Sequence, residues 1–246
     1  MERNPFTRAV AAKCAVEGSD GFAAEAHAAF RDFVLEQSFP CVGARAAVHG
    51  GSYRLATYDE LANEATTVAL GRDLFDFTRS EICARSEYAT FVAVFRAPEN
   101  CDEHEFEQRL WAQLGFLNKL DAEQFDWDPQ VRSDPTDPQF SFSFAGHALY
   151  VIGLQPNSSR LARRFRWPAL IFNPHEQFER LRADGKWKRM QETIRERDVQ
   201  LQGSVNPMLS DFGETTEARQ YSGRAVDDDW RAPFKAQPGK CPFFRH

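Results

Sequence analysis

Between residues 22 and 37 the apolar positions Phe22, Ala26, Phe30, Phe33 and Val34 fall on one helical stripe, which Phe39-Pro40 ends. A short helix restarts at Cys41 and runs to Ala47. After the Gly50-Gly51 turn, residues 52–58 alternate as a strand, and Asp59 stands where it can cap a helix with Leu61, Ala65, Val68 and Ala69 inside. Residues 88–95 are almost continuously apolar, as a central strand is. Asp102 and Glu105 have capping-box spacing ahead of the stripe Phe106, Leu110, Leu114 and Leu117.

Asp128-Pro129, Asp134-Pro135 and Asp137-Pro138 make 121–138 an extended polar connection, because each proline forces its predecessor out of the helical region. A hairpin follows: Phe140, Phe142 and Phe144 alternate with serines, Ala145-Gly146 turns, and 147–153 returns. Leu170-Ile171-Phe172 reads as a short buried strand broken by Asn173-Pro174. His175 then opens a helix carrying Phe178 and Leu181, and after Gly185 the spacing resumes at Trp187, Met190 and Ile194.

Residues 202–224 have little period, many turn formers and dense polar functionality. That composition suits a binding loop folded against a scaffold. No internal repeat and no second hydrophobic core follow. The pattern predicts a loose segment 1–20 and a single α+β domain over 21–246: a mixed sheet of about five strands flanked by helices, with a long functional C-terminal loop.

The formal net charge of -6 argues against nucleic acid or an anionic membrane as partner. No run is apolar enough to span a bilayer and no leader pattern opens the chain, so the cytoplasm is expected. The 22 phenylalanines supply flat, rigid surface for a core or for a planar cofactor. Cys14, Cys41, Cys83, Cys101 and Cys241 include no Cys-x-x-Cys pair, which removes the commonest zinc and redox spacing. Phosphate-loop, zinc-helix and nucleophile-elbow motifs are also missing, and Asp211-Phe212-Gly213 lacks every companion of the kinase tripeptide.

Chemistry therefore rests on a dispersed set. His175 stands at a rigid strand–helix junction, the kind of place that holds an iron ligand, a proton carrier or merely a cap. Cys41 stands at a helix start, where free amides favour a thiolate. Arg160, Arg163 and Arg164 share a helical face if their segment is helical, and guanidinium forks hold carboxylates and phosphates well.

Several short motifs, in order along the chain, together resemble the YqcI/YcgG family. They are Phe39-Pro40-Cys41-Val42-Gly43-Ala44, Phe140 to Phe144 with Gly146, and Phe172-Asn173-Pro174-His175-Glu176-Gln177-Phe178. Next come Gln202-Gly203-Ser204, Asn206-Pro207-Met208-Leu209, Asp211-Phe212-Gly213-Glu214, Gln220-Tyr221-Ser222-Gly223-Arg224 and Cys241-Pro242-Phe243. The resemblance implies a heme b cofactor and N-hydroxylation of a guanidine or amine nitrogen, as in L-arginine or a derivative. Dioxygen and an external electron donor would be co-reactants, and the oligomeric state stays open.

Beside that resemblance, His175 is placed first as axial iron ligand and Cys41 second. Arg45, Arg160, Arg163 and Arg164 would meet the heme propionates. Asp211, Glu214 and Glu217 would hold the cationic substrate, and Asn206 and Tyr221 would orient the reacting nitrogen or dioxygen. Three rivals remain: a non-catalytic heme carrier or sensor, a heme-free metal enzyme using His175 with those acids, and a partner-binding loop.

Overall fold

The computed structural model describes residues 4–6 and 21–239. Most of the expected loose N-terminal segment, with Cys14, and the end of the tail, with Cys241, lie outside the described residues.

Five strands form one mixed sheet in the order β1-β2-β5-β4-β3. They are β1 (Tyr53–Glu60), β2 (Thr90–Ala97), β3 (Phe142–Phe144), β4 (His147–Leu154) and β5 (Ala169–Pro174). Among the described strands, β1 and β2 run parallel and the other pairs antiparallel. The helices are α1 (Phe22–Leu35), α2 (Val42–Gly50), α3 (Glu64–Thr78), α4 (Glu81–Arg85), α5 (Glu103–Asp121), α6 (His175–Ala183), α7 (Trp187–Gln202) and α8 (Ala218–Tyr221).

Side chains alternate across the strands, so the sheet carries two cores. Phe91, Ala93, Phe95, Val151 and Phe172 face α3 and α5, together with Leu74, Leu110 and Trp111. Val92, Val94, Leu154 and Ala169 face the opposite way, toward Phe22, Phe30 and Val34 of α1 and Val48 of α2. Each fully buried phenylalanine or valine contributes about 1.5–3 kcal/mol. The hairpin phenylalanines Phe140, Phe142 and Phe144 all lie in the first core.

Two departures from the sequence pattern have clear causes. Asp59 stays in β1, and Asn63 caps α3 instead, accepting from the amides of Ala65 and Thr66. Ala62, with φ of 68°, makes the turn between them, so the buried side of α3 falls on Leu70, Leu74 and Phe75. Residues 202–224 are also less open than their composition suggests, since α8 within them buries Ala218, Gln220 and Tyr221. Among the described residues no helix is long and apolar enough to cross a membrane.

Candidate functional site

The face that carries the second core keeps half-buried side chains at its middle. Ile171 on β5 pairs with Ile152 on β4, and both stay half-buried; Tyr150 on β4 is half-buried as well and packs against the first core. Val92 and Val94 on the neighbouring strand are fully buried on the face of the two isoleucines. Half-buried Phe178 of α6 meets Tyr150 edge-on at 5.8 Å, and half-buried Tyr88 and Met190 border Gly43 at the start of α2. The centre of this face is thus an apolar floor of half-buried side chains, with Ile152 and Ile171 packed against the core that α1 and α2 help to form.

Cys41 stands at the edge of this floor. It caps α2, and its sulfur accepts the Ala44 amide at 3.4 Å. Burial pushes its thiol up, against the pull of the Ala44 and Gly43 amides and of the Arg163 charge. Arg163 donates to the Gly153 and Gln220 carbonyls at 3.0 and 3.2 Å. Among the described residues no carboxylate pairs with it within 4.0 Å, and burial lowers its pKa. Gly223, with φ of 83°, gives it room, since a Cβ there would lie 3.2 Å from the Arg163 side chain. Tyr150 completes this corner, donating from its hydroxyl to Gln220 Oε1 at 2.8 Å.

His175 directly follows β5. It opens α6, is 6% exposed, and sets its Nε2 3.3 Å from Glu179 Oε1. The Phe212 ring packs against the imidazole at 4.5 Å between centroids, and burial lowers the imidazole pKa. The groups acting on His175 are Glu179, Arg182 and Asp128, and those acting on Cys41 are Ala44, Gly43 and Arg163.

The arginines divide by role. Arg160 is buried and spends its fork on Asp198, at 2.5 Å, and on Ser204. Arg45 Nη1 donates to the carbonyls of Val34, Leu35 and Glu36 at the end of α1. Arg164 is exposed and, among the described residues, bonds through Nε alone, to Ser158 O at 3.0 Å.

The acids also separate. Asp211 Oδ1 accepts from Gln191 Nε2 at 2.6 Å and from Trp187 Nε1 at 3.4 Å, so α7 holds the carboxylate while Oδ2 stays unbonded among the described residues. Glu214 lines a groove of about 610 Å³ with Pro135, Met208, Leu209 and Arg219. Glu217 is buried and its carboxyl is pushed up to about 8 by desolvation. It accepts the Tyr221 hydroxyl at 2.5 Å. Tyr221 itself accepts the Phe142 amide and stacks on Trp111, inside the first core. Asn206 turns its own loop, donating its amide to Asp198 and accepting the Met208 amide.

Tyr150, Gln191, Asp198, Phe212 and Gln220 were not foreseen. Each is an ordinary-looking residue whose partner lies far along the chain, so spacing carries no sign of it. Among the described residues no group of three or more His, Cys, Asp or Glu side chains is placed to hold a metal ion.

A planar tetrapyrrole needs an apolar slot, a ligand atom and cations near an opening. Around Cys41 the structure supplies a sulfur that accepts a backbone amide, half-buried apolar neighbours and the Arg163 charge. At His175 the Phe212 ring packs against the imidazole and Glu179 engages Nε2. No curated protein and no solved structure matches the chain. The family model of the YqcI/YcgG family matches residues 30–235, and the chain belongs to that family.

Proposed function

We propose that the protein is a heme-dependent oxygenase that N-hydroxylates a guanidine or amine nitrogen of a small molecule such as L-arginine. The observation that carries this reading is the group of half-buried apolar side chains at the centre of the sheet, with Cys41 packed against the same core and its sulfur accepting a backbone amide. Family resemblance supplies the reaction class; the residues supply the places.

Cys41 would ligate the iron. A metal deprotonates a coordinating thiol outright, and the α2 amides with the Arg163 charge then stabilise the thiolate. Arg164 would meet a propionate through its terminal nitrogens. Bound heme would supply the oxidation, putting one atom of dioxygen on the substrate nitrogen and the other into water, with electrons from an external donor.

Substrate binding falls to Asp211. Gln191 and Trp187 fix one carboxylate oxygen, and the other can accept a guanidinium N–H. Glu217 suits that task less, since at neutral pH its carboxyl is largely protonated. Tyr150 and Gln220 form a hydrogen-bonded pair, able to orient a polar group.

The test is reconstitution with hemin, followed by turnover of arginine and related guanidines with a chemical reductant under air. A Soret band with reductant-dependent N-hydroxy product is expected. A band without product makes the protein a heme carrier or sensor, and no band removes the cofactor.

A further inference from the structure

We propose that two copies of the chain pair through the outer edge of β1, giving a two-fold dimer with one continuous sheet. β1 is the first strand of the sheet, and among the described residues nothing pairs with its outer side. It runs for 8 residues without proline, and only Tyr58 is buried. Such an edge presents a row of free backbone donors and acceptors, which proteins ordinarily cover or blunt. The opposite edge is handled in that way. β3 has only 3 residues, and the Asp128 amide donates to Ser143 Oγ there.

A groove of about 610 Å³ runs along β1, lined by Ala23, Ala24 and His27 of α1 and by Tyr53, Leu55 and Thr57 of β1. The alanines keep α1 slim where a second backbone would lie, about 4.8 Å from the first.

The sequence of β1 selects a second copy as the occupant. A two-fold axis perpendicular to the sheet makes β1 antiparallel to its copy and keeps each face on its own side. Opposed residues must then point the same way, which restricts the allowed registers. Centred on Thr57, the register sets Ala56 against Tyr58 and Arg54 against Glu60, each twice by symmetry. Arg54 and Glu60 lie on the same side of β1 by the period of two, opposite Phe91 and Ala97 of β2. Arg54 is exposed, and Glu60 is half-exposed, with Arg109 3.5 Å away on its inner side. Opposite charges directly across an antiparallel pair are favourable, and like charges there are unfavourable.

Light scattering coupled to size exclusion tests this with single variants. Wild type should run as a dimer. Arg54→Glu and Glu60→Lys should each dissociate at least about tenfold more readily, because each sets like charges opposite one another. Their equimolar mixture should recover the dimer, since a mixed pair restores an opposite-charge contact at both places. Circular dichroism identical to wild type shows that the variants fold. A monomeric wild type, single variants that stay dimeric, or a mixture that stays monomeric would each overturn the proposal.

Discussion

Gln191 Nε2 donates to Asp211 Oδ1 at 2.6 Å, joining the irregular 202–224 segment to the side of α7. The second oxygen of Asp211 is left unbonded among the described residues, a carboxylate half used and already oriented. Asp211→Asn keeps the bond from Gln191 and removes the charge. A charged hydrogen bond lost at a binding site costs about 1.5–3 kcal/mol. The KM for a guanidine substrate should therefore rise by about tenfold to a hundredfold, with the heme spectrum unchanged. An unaltered KM would show that Asp211 serves the loop alone.

Arg160 and Asp198 form a buried pair that also holds Ser204 and the Asn206 amide. Removing one partner strands the other charge, at a cost of about 3–5 kcal/mol. Asp198→Ala should lower the urea midpoint accordingly. The double variant Arg160→Met, Asp198→Leu should recover much of the loss, because no unpaired charge remains. Equal destabilisation by the single and double variants would contradict this account.

Glu217 makes stability fall with rising pH. Its folded pKa, about 8, lies above the ordinary value of 4.5, so the folded state holds a proton that the unfolded chain releases. The contribution is complete below pH about 4.5 and is lost as the pH passes through about 8. Asp121, raised to about 7 by burial while it accepts the Ala145 amide, adds in the same direction. Glu217→Gln should flatten the decline in unfolding free energy between pH 5 and 8.5 relative to wild type. An equally steep decline in the variant would place the titrating group elsewhere.

Much of the scaffold was legible because its causes are local. Asp102 caps α5 as its spacing with Glu105 implies, accepting the Glu105 amide at 2.8 Å. Phe140, Phe142 and Phe144 all enter one core, as their alternation implies. Asp59 misled because it and Asn63 are both good caps, and the positive φ of Ala62 that decides between them leaves no trace in composition. The site was legible in residue type but not in arrangement. Arg160 looks like a propionate donor until Asp198 meets it from α7, 38 residues away. Tyr221 looks like an active-site hydroxyl until Glu217 and the Phe142 amide consume it inside the core. Tyr150 looks like a strand residue among others, and only the fold sets it beside Cys41 and Arg163.

The ligand question is the most direct test of the whole account. Absorption spectra of the hemin-loaded, dithionite-reduced protein under carbon monoxide separate thiolate from imidazole ligation. Wild type and His175→Ala should both give the thiolate form, and Cys41→Ala should lose it. A wild-type imidazole spectrum that disappears in His175→Ala and survives in Cys41→Ala would contradict the assignment.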